Sequence, residues 1–214
     1  MFYQALLIFH IILGFYSLLI VPVVFMFKTG SSNHKKWGKT FFYSMLGVGC
    51  SALALSLLKF NLFLLSVGVF TLYMVSSGYR AIFTKGLHEN QKPHWIDWSI
   101  TLLNLGFGLG LILYGIFFSD GNLQVLSLIF GGITVFTGLG GLKGLIQKPS
   151  DSKHWIYRHI SGMLGAYIAT WTAFSATNLD FMPTLWRWTW PSILGSIVIA
   201  YFIRRERKKG LAKA

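Results

Sequence analysis

An ionisable side chain set inside a long apolar run can do chemistry, and His10 is such a residue. It lies about two turns into a charge-free stretch, with Gly14 and Ser17 following at the spacing of one helical face. There an imidazole can ligate haem iron, carry a proton or contact a ligand. It can equally be a neutral histidine bonded to a neighbouring helix, because an ionisable group at that depth must face protein and not lipid. His159 opens a later apolar run beside Arg158. Gly162, Ala166, Ala169 and Ala173 follow it as a stripe of small residues that lets another backbone approach closely. Arg80 ends one run and Asp97 precedes the next, so the two can pair across helix ends. With His34, these form the candidate ligand-binding set: His10, His34, Arg80, Asp97, Arg158 and His159.

Haem b is the cofactor that such histidines allow, though none is assigned. At about 1.5 Å per residue, His10 and His159 stand on the order of 20 Å apart in depth and cannot share one iron. An inner haem would have to use His159 with His34, His94 or His154. His94-x-x-Asp97 offers two metal ligands at helix spacing, fewer than a zinc site needs, so the metal question stays open. No H-E-x-x-H, P-loop or strand-borne G-x-G-x-x-G is present, nor any nucleophile–base constellation. No catalytic residue is assigned, and the reading leans away from an enzyme. The six acidic residues avoid the middles of the apolar runs, which disfavours an acid-driven proton pump or cation transporter. Cys50 stands alone, so it forms no intramolecular disulfide and reads as a small buried packing residue.

The elements that carry these residues are set by composition. The chain has 214 residues, 54% hydrophobic and 12% charged, with mean hydropathy +0.58. A soluble domain carries about a quarter charged residues, so lipid is the natural solvent for this one. Charge-free runs at 2–27, 40–58, 60–79, 98–119, 121–142, 160–179 and 188–203 predict seven transmembrane helices in one membrane domain, residues 1–214. The first run lacks a basic leader and a small-residue cleavage site, so it reads as a helix and not as a signal peptide. The last run is short, and Trp186, Trp188 and Trp190 are expected to anchor its outer end as an interfacial belt.

Net charge is +13, but its distribution follows membrane topology and not nucleic-acid binding. The segments 28–39, 80–97, 143–158 and 204–214 hold 4, 3, 4 and 6 Lys and Arg residues, while the opposite side holds only Lys59 and Arg187. That asymmetry places the four segments inside, the N-terminus outside and the C-terminus in the cytoplasm. The expected partners are anionic lipid headgroups on the cytoplasmic face. Oligomeric state is not encoded in these features. His34, His94 and His154 recur every 60 residues, each opening an inside-to-outside helix. The chain therefore reads as three helix–loop–helix units plus a seventh helix, and parallel repeats of this kind are known in transporters.

Several stretches resemble an uncharacterised family of predicted bacterial multi-pass membrane proteins. They are His34-Lys35-Lys36-Trp37-Gly38-Lys39, Asn61 to Leu65, Ser77-Gly78-Tyr79-Arg80-Ala81, Arg158 to Ala169 and Pro191 to Gly195, with His10 in the first helix. The resemblance implies a location in the bacterial inner membrane and carries no established activity. Spaced histidines in a bundle are also loosely similar to membrane cytochromes b, a likeness of fold alone. The expected fold is thus an all-α polytopic bundle. The expected function is non-enzymatic binding of a small apolar ligand, lipid or quinone between helices. The alternatives are a haem-containing electron-transfer protein and a small-molecule transporter. A reporter fused after Ala214 that is active only in the cytoplasm should be active, and one active only outside should be silent. The reverse pattern would overturn the orientation.

Overall fold

The computed structural model describes residues 1–211, so Ala212, Lys213 and Ala214 of the basic tail lie outside the described residues. The chain is all-helical. Seven helices run α1 Phe2–Phe25, α2 Ser32–Leu58, α3 Leu62–Arg80, α4 Trp95–Phe117, α5 Gly121–Ile146, α6 His154–Asn178 and α7 Thr184–Leu211. Two short 3-10 turns, Ala81–Phe83 and Lys85–His88, lead from α3 towards α4. Helix starts follow local chemistry. Ser31 caps α2 by accepting from the His34 N–H, and Asn61 caps α3 by accepting from the Leu64 N–H. His94 and Asp97 cap α4 reciprocally, which satisfies backbone donors that the first turn leaves free.

Helices α1 to α5 are long and apolar enough to cross a membrane. Their outer faces carry exposed Ile12, Leu19, Leu103, Leu113, Phe136 and Leu139. The interior is more polar, with Ser17, Ser66, Thr101, Asn104, Ser127 and Ser175 buried. Apolar outside and hydroxyl-rich inside is the arrangement of a bundle solvated by lipid, where backbone groups must bond within each helix. Cys50 departs from its expected burial: it is exposed. A lone thiol behaves as a small hydrophobe, so this outer face of α2 holds it without loss.

Helix α6 lies among the others. It packs along α3, α7 and α1 and touches both 3-10 turns. Its Thr170 hydroxyl reaches Met45 of α2 at 3.3 Å. A helix covered by protein need not be apolar all round, which is why α6 can carry Arg158, His159, Thr170, Thr172 and Ser175 on 25 residues. The most extensive pairs are α4 with α5, α3 with α6, α1 with α2, and α2 with α3. The 60-residue recurrence therefore marks helix starts, while three of these four packing pairs, all but α1 with α2, cross the repeat boundaries.

The tightest approach joins α3 and α6. A Cβ on Gly162 would run into the backbone of Gly78, and one on Gly78 would meet Gly162 and Met163. Ala166, one turn on, is fully buried. By contrast, Gly106 and Gly132 have open space where a Cβ would stand. Gly162→Ala should therefore cost about 1–3 kcal/mol by forcing the two helices apart. Gly106→Ala or Gly132→Ala should be neutral or stabilising by up to about 1 kcal/mol. Denaturant titration in detergent micelles reads both. Equal tolerance at the two kinds of site would contradict the close approach.

Candidate functional site

The six candidate residues divide between two ends of the bundle. His10 sits alone on α1 against α2. Its Nδ1 lies 2.9 Å from Ser51 Oγ and 3.2 Å from the Val48 carbonyl oxygen. Ser51 donates its own proton to the Gly47 carbonyl at 2.6 Å. Nδ1 therefore carries the hydrogen, and the Ser51 oxygen can accept from it. Ser17, on the same face, meets Ser44 of α2 at 2.7 Å. The face marked by His10, Gly14 and Ser17 is thus the α1–α2 seam.

His34, Arg80, Asp97, Arg158 and His159 belong to the other end. Arg80, at the C-terminus of α3, holds Asp97 on α4 with two parallel bonds, Nε to Oδ1 at 2.9 Å and Nη2 to Oδ2 at 3.0 Å. Such a fork is the strong form of ion pair. Asp97 Oδ2 also accepts the His94 N–H at 2.9 Å. The carboxylate is 1% exposed, while the arginine side chain is 23% exposed. His159 Nδ1 donates to the Gly78 carbonyl at 2.9 Å, immediately beside the glycine contact. His34, the third residue of α2, donates its amide to the Ser31 side chain. Arg158, on the second turn of α6, has a buried Nη1 without a hydrogen-bond partner.

His10 bonds α2 at the level where Ala52 and Gly49 meet Gly68 of α3, whereas His159 bonds Gly78. Those two levels of α3 are about 15 Å apart at the rise of an α-helix. The two histidines therefore do not face one iron atom. His94 and Asp97 are joined by capping, and among the described residues no three His, Cys, Asp or Glu side chains converge on a point.

His154 is buried, with Nε2 2.9 Å from the Thr84 carbonyl and Nδ1 3.1 Å from that of Asp151. It fastens α6 to the turn after α3. In the preceding loop, the Lys153 N–H and the Tyr157 hydroxyl donate to Asp151 and hold its carboxyl below the usual range. A second polar line runs through α3, α4 and α5. The Tyr73 hydroxyl donates to the Thr137 carbonyl at 3.1 Å, and Asn104 Nδ2 donates to that of Thr134 at 2.9 Å. Asn104 Oδ1 and Thr134 Oγ1 are buried without partners.

One feature of the bundle escaped the sequence reading. A cleft of about 500 Å³ opens between α3, α5, α6 and α7, walled by Phe70, Phe130, Ile133, Ala169, Trp188 and Ile193. Thr172 and Ser192 also line it. Most helix hydroxyls here donate to a carbonyl one turn back, as Thr170 does to Ala166 and Thr177 to Ala173. Thr172 does not: its Oγ1 is buried and unpartnered. The three tryptophans expected to form an interfacial belt diverge. Trp188 lines the cleft and stacks on Phe63, Trp190 donates to Ser175 at 2.8 Å, and Trp186 is the exposed one. Compared with protein-family models, curated proteins and solved structures, the chain shows no match.

Removing one partner of the Arg80–Asp97 pair leaves the other as an uncompensated charge. Arg80→Gln should cost about 3–5 kcal/mol, because Asp97 is the more deeply buried member. Adding Asp97→Asn should recover part of that loss in a double-mutant cycle. Full additivity of the two changes would show that the pair is not coupled.

Proposed function

We propose that this chain is an inner-membrane protein that takes an elongated apolar molecule, a membrane lipid or a quinone, into the cleft between α3, α5, α6 and α7. The observation that carries the reading is the unpartnered Thr172 hydroxyl in a cleft walled mainly by aromatic and aliphatic side chains, with Thr189, Ser192 and Ser196 along its α7 side. Ligand sites are mostly apolar concavities of about 300–1,000 Å³ with a few placed polar groups. A hydroxyl that does not bond its own helix can donate to a carbonyl or ether oxygen of the occupant, and the walls take its hydrocarbon. The reading is one of binding and not of catalysis.

All seven helices cross the bilayer in this reading. Helix α6 has 25 residues and α7 has 28, so at 1.5 Å per residue both exceed the ~30 Å hydrocarbon thickness. The excess of lysine and arginine in the segments that include Lys35, Lys85, Lys148 and Arg204 supports a cytoplasmic C-terminus. It also supports contact with anionic headgroups there.

The test is mass spectrometry of organic extracts from the purified chain. Wild-type protein should carry an apolar molecule in fixed proportion to the chain. Ser192→Phe, which fills the cleft, should release it while the protein stays folded. Thr172→Val should weaken retention by about 1 kcal/mol, roughly fivefold, for one lost hydrogen bond. An extract that matches bulk lipid in all three proteins would refute the reading. A Soret band in the visible spectrum would replace it with the haem alternative.

A further inference from the structure

We propose that Arg158 anchors a binding site for an oxyanion, a phosphate or carboxylate group, where the start of α6 meets the ends of α3 and α5 and the start of α4. The site is separate from the apolar cleft. Arg158 Nη1 is buried and takes no hydrogen bond, and no ion pair among the described residues includes Arg158. The arginine as a whole is half-buried, but this nitrogen is out of water's reach, and a charged donor so placed is disfavoured unless an acceptor meets it.

The nearby carboxylate is already engaged. Both oxygens of Asp97 are held by Arg80, and one also accepts the His94 amide. Asp97 is thus taken up by Arg80, and the half-buried Arg158 guanidinium is left without an acid of its own. The other neighbours add no acid. Tyr73 donates its hydroxyl to the Thr137 carbonyl, and the arginine stem passes beside Gly144 on α5, which presents no side chain. Lys143, Lys148 and Lys153 on the adjoining segment add to the positive field. Asp151, the acid of that loop, is engaged by Tyr157 and the Lys153 amide. A planar guanidinium offers two parallel donors, a geometry that matches phosphate and carboxylate. The group can arrive as a lipid headgroup or as a free anion from the aqueous side.

The experiment is thermal unfolding of the full chain in a neutral detergent with inorganic phosphate, ionic strength being held constant with chloride. A second arm uses nanodiscs of phosphatidylcholine with and without phosphatidylglycerol. Wild-type Tm should rise saturably, by about 5 °C at a ligand level a hundredfold above Kd. A rise with phosphate identifies a free anion, and a rise confined to phosphatidylglycerol identifies a headgroup. Arg158→Gln should abolish the response, and Arg158→Lys should keep part of it. Without added anion, Arg158→Gln should be as stable as wild type or more so, because it removes a charged donor that no acceptor meets. A merely structural arginine would instead leave that variant less stable under every condition. That result overturns the proposal, as would a flat wild-type response in both arms or an undiminished response in Arg158→Gln.

Discussion

The backbone contact between Gly78 and Gly162 sets the register on which the rest of the bundle depends. In hydrocarbon, helices gain no hydrophobic drive to associate, so close packing and interhelical hydrogen bonds must hold them. Two glycines opposite one another let α3 and α6 meet backbone to backbone. That approach brings the Gly78 carbonyl within 2.9 Å of His159 Nδ1. It also brings the start of α6, where Arg158 precedes His159, to the end of α3 that carries Arg80. Bulk is distributed the opposite way further along the same helices. Phe63, Phe70, Phe130 and Trp188 belong to or flank one apolar cluster there, and the cleft opens among them. One end of the α3–α6 pair is closed by small residues and the other is propped open by large ones.

The interior hydroxyls show how the bundle manages polarity without water. Ser66 donates to the Leu62 carbonyl at 2.7 Å, Ser127 to that of Leu123 at 2.7 Å, and Thr101 to that of Asp97 at 2.8 Å. Each satisfies itself within its own helix and asks nothing of a neighbour. The buried side-chain atoms left without a partner among the described residues are Thr134 Oγ1, Thr172 Oγ1, Asn104 Oδ1, Arg158 Nη1 and Arg187 Nε. An unmet buried polar group costs about 1–3 kcal/mol, so these few places are where a ligand gains most by binding. They are also separated by chemistry. Thr172 is neutral and walled by aromatics, whereas Arg158 is charged and surrounded by engaged polar groups. An apolar molecule with one acceptor suits the first, and a compact anion suits the second.

The sequence exposes what depends on spacing and hides what depends on partners. The helices are legible because a membrane demands long apolar runs. The face of α1 that carries His10 and Ser17 is legible because polar residues at helical spacing must turn inwards. The Arg80–Asp97 pair is legible because opposite charges stand at the facing ends of successive helices, α3 and α4. The cleft is not legible. Its walls come from α3, α5, α6 and α7, and no local pattern states that Phe70, Phe130, Thr172 and Trp188 meet. Trp188 sits in a row of alternating tryptophans that reads as an interfacial belt, and only packing against Phe63 reveals its other use. Cys50 is exposed where its apolar context predicts burial, because in a membrane helix an apolar context implies lipid as readily as core.

The recurring histidines show why spacing alone does not make a site. His34, His94 and His154 stand 60 residues apart, yet each has a different bonding role. His34 is the third residue of α2, its amide donating to the Ser31 side chain. His94 is the cap of α4, where its ring nitrogen accepts the Ile96 amide at 3.3 Å. His154 opens α6 with both ring nitrogens against carbonyl oxygens, one of them across the chain on Thr84. What repeats is the start of a helix, a position that suits an amphipathic ring with hydrogen-bonding edges. The charges that pair come instead from non-repeating positions: Arg80 at the end of α3 and Asp97 in the first turn of α4, with Arg158 one turn into α6. Their convergence follows from the glycine contact and from the reciprocal cap of α4. The charges of this end are therefore brought together by backbone geometry, and the histidines mark where that geometry begins.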